Sequence, residues 1–550
     1  MGRVSNSWRL DPHSISASRF LLGIWILVDL GLRSRDLSAH YSDGGALPRS
    51  IVIEGFLRDP SMFSILNSTG SALVAGLFFA ATAIAAICFS LGYRTLVSNI
   101  VLCVLVTSIQ IRNPLILNAG DHIVRVLLLW FLVLPIGAWG LDRRNTETAP
   151  SAAFSLIGLA MLLQLGLIYF ANGMCKDGRD WAETHTAILR VLRLDVFVTP
   201  IGKWLTGFPE LLTTTTQVVP WFECILPVLL LIPFRWQGFR LIAFLLAALF
   251  HLSIGLTLNI WALGLASMIF WVLTLPPAAW AFAFKVLHRF SRWKFTISST
   301  TSSVTPSWPQ TIFATSLFVL MVMNNLSTIT RDKGYLPQPA SRLSRFLGIE
   351  QAWNMFAPTV LGGDRWPVMR AKLADATIVD LYRNGQEVNL EKPASAAEGH
   401  KNLRWQSLFD DALKMNNPRV YASISNAFVR EWNAENPQRR VLSFELLFIR
   451  EQTEMDGTEL PVSIERRYRR IVPPPRLPGG RKPGSSSTPA PWLRGGGKRL
   501  QSSGSPEPTP DPAFTAPRSI GTSMPPPTSA GGKMFHPESD GLPLTDRPDR

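Results

Sequence analysis

The sequence predicts an all-α polytopic membrane bundle of eight or nine transmembrane helices, followed by a small α+β extramembrane domain and a disordered tail. Three observations predict it. Charged residues make up 17% of the chain and apolar residues 47%, whereas soluble domains carry about 25% charge. Ser71–Leu91 and Phe154–Ala171 contain no charged residue at all, and Leu241–Ile260 has only His251 as an ionisable group. Finally, 18 of the 41 prolines fall after residue 472, among Gly and Ser.

A helix needs about 20 apolar residues to cross a bilayer, because each residue rises about 1.5 Å and the hydrocarbon is about 30 Å thick. The three runs meet that length. Ile15–Leu32, Leu96–Ile111, Ile123–Leu141, Leu211–Pro233 and Gln310–Ile329 are further spans with fewer apolar residues. Leu241–Pro276 is too long for one crossing, so it reads as two spans that turn near Asn259. The membrane region therefore occupies residues 1–335. From 336 to 470 the charge is ordinary. Thr377–Leu381 and Val441–Phe448 read as strands and Val420–Asn433 as a helix, which gives the α+β domain. Residues 471–550 lack the apolar content to offset their ordering entropy.

Composition also excludes functions. The net charge is +15, but from Arg466 onward 14 Lys/Arg face 6 Asp/Glu, so more than half of the excess belongs to the tail. With no zinc-finger or RNA-binding signature, nucleic acid is not expected as a partner. Four cysteines without CxxC pairing and eight dispersed histidines exclude a disulfide framework and a metal site. No phosphate loop, dinucleotide fingerprint or GxSxG elbow is present.

Ionisable residues at membrane depth are the places to look for chemistry, since leaving them unpaired in hydrocarbon costs several kcal/mol. Asp29 and Arg33 stand four residues apart, as do Asp121 and Arg125; each pair reads as an intrahelical ion pair or as part of a site. Glu223 lies between Pro220 and Pro227. It is a site residue or an acceptor for backbone groups near the prolines. His251, inside LLAALFHLSIGL, reads as a bonded core histidine or as a group that exchanges protons near neutral pH. The densest cluster is Tyr169–Trp181, YFANGMCKDGRDW, at the end of a charge-free span. Desolvation of Lys176 there favours the neutral amine, a base; the alternative is a lysine that snorkels to the interface.

Several segments together resemble the HTTM domain, the horizontally transferred transmembrane domain, which forms the membrane part of vitamin K-dependent γ-glutamyl carboxylases and their bacterial relatives. They are Ser18–Arg49 with its Tyr-x-Asp-Gly loop at Asp43, Gly120–Asp142, Gln164–Trp181, the span around His251, and Gln351–Trp366. The resemblance implies that Lys176 falls on the lysine regarded as the base that deprotonates reduced vitamin K. It puts Trp181 on the tryptophan that follows that lysine, and His251 on a histidine of the membrane core. A reduced, vitamin K-like quinone is then the cofactor, and a peptide or lipid at the bilayer the substrate. The location implied is a bacterial inner membrane, and the basic loop Lys285–Lys294 puts the N-terminus in the cytoplasm. Two departures stand out. Carboxylases carry a further histidine where this chain has Pro135–Asp142, which contains none. Their propeptide-binding C-terminal region is replaced here by about 130 ordered residues and the tail. The alternatives are a non-enzymatic membrane component of peptide or toxin maturation, export or immunity, and a transporter, although no inverted repeat is visible.

Overall fold

The computed structural model describes residue 8 and residues 10–55, 64–135, 139–142, 155–232, 238–290, 307–331, 336–350, 353–393, 395, 399–454, 458 and 460–472. The expected tail at 471–550 lies almost wholly outside them. Among the described residues, seven helices are long and apolar enough to cross a membrane: α1 (Pro12–Ser34), α4 (Ala72–Leu91), α5 (Thr95–Arg112), α7 (Ser155–Met174), α11 (Pro209–Leu231), α12 (Gly238–Thr257) and α15 (Trp308–Thr330). Between them lie α2 (Leu37–Tyr41), α3 (Arg49–Gly55), α6 (Ala119–Phe131), α8 (Arg179–Ala182), α9 (Ala187–Leu192) and α10 (Pro200–Leu205). Further on come α13 (Trp261–Val272) and α14 (Pro277–Phe290).

The chain does turn near Asn259: α12 stops at Thr257 and α13 starts at Trp261. The second limb is not a straight span, since α13 and α14 meet at a bend of 103° and count as an eighth crossing only together. Ile123–Leu141 also differs from its expected length. Its helix, α6, has 13 residues and stops at Phe131. A capping box at Asn118 and Asp121 fixes its start, and Leu132 and Val133 turn out of the helix.

Outward faces of the long helices are apolar. Only 17% of the α12 window is buried within the protein although its mean hydropathy is 2.0. Leu245, Leu249 and Leu252 project from it, as Leu73, Leu77 and Ile84 do from α4. Such surfaces belong against lipid. Inside the bundle, short polar side chains tie helices together by donating to backbone carbonyls: Ser18 to Ile269 at 2.8 Å and Asn99 to Leu128 at 2.9 Å.

After α16 (Gln338–Leu347) comes a four-stranded antiparallel sheet in the order β2-β1-β3-β4. The strands are β1 (Arg365–Leu373), β2 (Ile378–Asp380), β3 (Val441–Arg450) and β4 (Ser463–Ile471), with α17 (Leu403–Met415) and α18 (Pro418–Glu435) between β2 and β3. Phe409 of α17 and Tyr421 of α18 pack on Phe448 of β3. The expected strands at 377–381 and 441–448 and the helix at 420–433 coincide with β2, β3 and α18.

This sheet and its helices are bonded to the bundle. Ser423 donates to the Ala46 carbonyl at 2.8 Å and Arg430 to that of Gly44 at 2.9 Å. On another side, Lys392 Nζ gathers Asp195 at 2.9 Å, Asp364 at 3.2 Å and Glu451 at 3.0 Å. Asp364 also accepts the backbone N–H groups of Asp195 and Val196, which anchors the loop after α9.

One carboxyl of α17 makes stability depend on pH. Burial pushes Asp410 up to about 6, with Asp411 adding to the shift and Lys414 opposing it. The folded state therefore holds this proton more tightly than the unfolded chain does. Its contribution is complete below about pH 4 and is lost as pH rises through about 6. Asp410→Asn is expected to flatten the fall in melting temperature between pH 4 and 7, as followed by thermal unfolding; an unchanged slope would assign that fall to other groups.

Candidate functional site

A cavity of about 310 Å³ lies among α9, α11, α12 and the Met355–Phe356 segment. Its walls are apolar, with Leu192, Val219, Phe250 and Ile254 among them, and its polar groups include Asn172, Lys176 and Glu223. Two glycines explain how these meet. A Cβ on Gly166 would lie 2.9 Å from the Pro227 side chain, and one on Gly173 would lie 2.7 Å from Cys224 Sγ and 2.8 Å from the Pro220 carbonyl. Spaced seven apart, they line one face of α7 and let α11 close against it. Glu223 then arrives beside Lys176, just past the end of α7.

Lys176 Nζ stands 2.5 Å from Glu223 Oε2, with their side chains only 4% and 3% exposed. The ammonium also donates to the Asn172 carbonyl at 3.3 Å and lies 5.1 Å from the centre of the Trp181 ring. Asn172 occupies the other carboxylate oxygen, donating to Oε1 at 2.8 Å, and its own Oδ1 accepts the Met355 N–H at 3.0 Å. Trp181 Nε1 donates to the Phe356 carbonyl at 2.8 Å. One network thus fixes both the pair and the segment that covers it. Taking two charges out of water costs several kcal/mol per ion, so a buried pair is weak evidence of a purely stabilising role.

His251 follows Phe250 on α12 but is not among the residues lining this cavity. Its Nε2 lies 2.5 Å from the Tyr169 hydroxyl, which also accepts a hydrogen bond from Trp271 Nε1 at 2.7 Å. With that lone pair used, the hydroxyl proton is free to point at Nε2. His251 Nδ1 is buried and has no hydrogen-bond partner among the described residues. Of the sequence candidates, Lys176, Trp181 and Glu223 are therefore brought together, and His251 joins a separate Tyr169–Trp271 chain.

The remaining candidates form another cluster. Arg33 bonds Asp29 at 2.6 Å, as the four-residue spacing anticipates, and also Asp121 at 2.5 Å and the Tyr41 hydroxyl at 2.8 Å. Arg404 of α17 completes it, reaching Asp29 at 2.5 Å and Asp121 at 3.1 Å. Asp121 does not pair with Arg125. Its Oδ2 accepts the Asn118 N–H at 2.9 Å, which turns the carboxylate back toward the helix start, while Arg125 contacts His122 at 3.1 Å. Asp43 fastens its own loop, accepting from the Arg49 backbone at 2.9 Å and lying 3.5 Å from Arg112. Asn172 and Tyr169 sit four and seven residues ahead of Lys176, and that periodicity could have marked them. Arg404 carries no local signal.

Residues 8–280 match the model of the HTTM domain. Comparison with curated proteins and with solved structures returned no match. With its apolar spans and this match, the chain is an integral membrane protein and belongs to the HTTM family.

Proposed function

We propose that the HTTM domain is a base-type modifying enzyme, drawing a peptide or lipid substrate to the Lys176–Glu223 pair and using a reduced quinone as co-reactant. The observation that carries this reading is a lysine and a glutamate 2.5 Å apart among the polar groups of an otherwise apolar cavity. In this reading a proton passes from Nζ to Oε2 across that 2.5 Å contact. While it rests on Glu223, the Lys176 amine accepts a second proton from the substrate, and the resulting ammonium stays beside the anion that forms. Asn172 holds the carboxyl in place. Trp181 and the Met355–Phe356 segment exclude water, which strengthens each of these interactions.

The residues suit a quinol: the apolar walls match its ring and the start of its tail, and Lys176 and Asn172 would hold its oxygens. When bound, the quinol would supply reducing equivalents, with dioxygen as the co-reactant that accepts them. The resemblance to carboxylases supports the assignment of Lys176. By the same resemblance and the basic loop at 285–294, the protein resides in a bacterial inner membrane with its N-terminus in the cytoplasm.

The test uses purified full-length protein in nanodiscs with reduced menaquinone, following quinol consumption and oxygenated product. Lys176→Met is expected to lower turnover by about 10²- to 10⁴-fold, the usual contribution of a general base. Equal turnover in both proteins would remove Lys176 from the chemistry.

A second reading has its own support. In the segment where carboxylases carry a further histidine, the Trp139 carbonyl accepts Arg19 at 2.5 Å and Asp142 accepts the N–H groups of Arg94 and Thr95 at 2.7 and 2.8 Å. Here Trp139 and Asp142 fasten helix ends. This favours a non-enzymatic component of peptide maturation, export or immunity, which would co-purify with a secreted peptide equally well as Lys176→Met.

A further inference from the structure

We propose that the seam between the helical bundle and the α+β domain is a binding site for a small anion, a phosphate or carboxylate group. The proposal stands on observations separate from the Lys176 pair. A second cavity, about 260 Å³, lies in this seam. It shares a wall with the apolar cavity: Leu258 and Ile260 line the apolar one, and Asn259 and Trp261 line the polar one.

The charges around it are unequally satisfied. Its carboxylates are engaged, Asp29 by Arg33 and Arg404 and Asp36 by the Asn402 amide at 2.7 Å. Two of its cations, Arg35 and Lys401, have no carboxylate partner among the described residues. Lys401 is held instead over the rings of Tyr382, Trp405 and Phe428 at 5.7, 5.6 and 5.0 Å, an arrangement that positions an ammonium without neutralising it.

His40 points to a ligand independently. It lines the same cavity, is 1% exposed and lies 4.6 Å from the Trp405 ring, yet neither ring nitrogen has a hydrogen-bond partner among the described residues. Buried polar groups are almost always satisfied, so such an imidazole awaits something in the cavity. Burial, opposed by Asp36, lowers its pKa to about 4, so at neutral pH it offers one N–H donor and one acceptor. A site with two spare cations and a neutral imidazole, in which Asp29 is paired and Asp36 accepts an amide, favours an anion over a metal ion. The volume holds about eight waters, or one phosphate or small carboxylate with its hydration.

The experiment titrates full-length protein in zwitterionic nanodiscs with inorganic phosphate and, separately, acetate, by calorimetry. A third arm places the protein in phosphatidylglycerol-containing nanodiscs and counts retained anionic lipid by native mass spectrometry. Arg35→Gln with Lys401→Gln is expected to weaken anion binding about tenfold or more, and His40→Phe to weaken it similarly. Arg419→Gln, an exposed cation outside the cavity, should leave it unchanged. Because Arg35 and Lys401 are exposed, their double variant tests the site even if His40→Phe folds poorly. Lipid retained by wild type and lost in the double variant identifies a headgroup as the source. Equal binding in wild type and double variant, or no anion bound in any arm, overturns the proposal.

Discussion

Lys176→Met is expected to destabilise the helical domain by about 3–5 kcal/mol, the cost of removing one partner from a buried ion pair. The loss comes from what remains. Glu223, 3% exposed and lined by apolar neighbours, would keep only the Asn172 amide as a donor at 2.8 Å. Glu223→Gln should cost less, because the amide oxygen still accepts from Asn172 or Lys176, although the ammonium loses its counter-charge. Combining Lys176→Met with Glu223→Leu is expected to recover most of the stability, since an apolar pair of similar volume is often neutral or better. Thermal unfolding in detergent, read by fluorescence-detected size exclusion, provides the comparison. If both single variants melt with wild type, water reaches the pair and the closed cavity is wrong. If the double variant is stable yet inactive toward quinol, the pair is retained for chemistry and not for the fold.

The parts that could be read from the sequence are the ones written locally. Hydropathy is summed over neighbouring residues, so α4, α7 and α12 were visible as runs, and so was the break at Asn259. Hydropathy overextends α6 because Leu132–Leu134 is as apolar as a helix would be, and hydropathy does not register where a helix stops. β3, VLSFELLFIR, is legible from its apolar and aromatic content, but β1 carries Pro367 within it, a residue that argues against a strand. β4, SIERRYRRI, falls in the 336–470 region, but its run of arginines hides the strand; two of them, Arg466 and Arg469, pair with Glu445 across the strand at 3.1 and 3.6 Å. Such charge at an edge also blocks further strand pairing.

The site followed the same division. Lys176 and Glu223 each stood out as polar residues beside apolar runs, but their partnership spans 47 residues and depends on Gly166 and Gly173 bringing two helices into contact. Asp29 and Arg33 were paired by helical spacing alone. Arg404 lies 375 residues from Asp29, so no local window could connect them.

That distant arginine supports the other large expectation. Arg404 supplies four bonds to the bundle: Nη2 to Asp29 at 2.5 Å and to Asp121 Oδ1 at 3.3 Å, and Nη1 to Asp121 Oδ2 at 3.1 Å and to the Ile116 carbonyl at 2.8 Å. Without it, two carboxylates share the single guanidinium of Arg33, and Asp121 is almost fully buried. Arg404→Leu is therefore expected to cost about 3–5 kcal/mol. Arg404→Lys should recover little, because one ammonium cannot span acceptors that a planar fork reaches with different nitrogens. Adding Asp29→Asn to Arg404→Leu removes one of the two competing charges and is expected to restore part of the loss, a coupling that a double-mutant cycle would measure directly. Limited proteolysis then separates mechanisms. If the cluster holds the α+β domain on the bundle, Arg404→Leu should expose cleavage sites in residues 336–402 before the helices unfold. Protection equal to wild type, with a melting temperature within about 2 °C, would mean that the contacts of Ser423, Arg430 and Lys392 suffice to hold the domain and that the four-charge cluster serves another purpose.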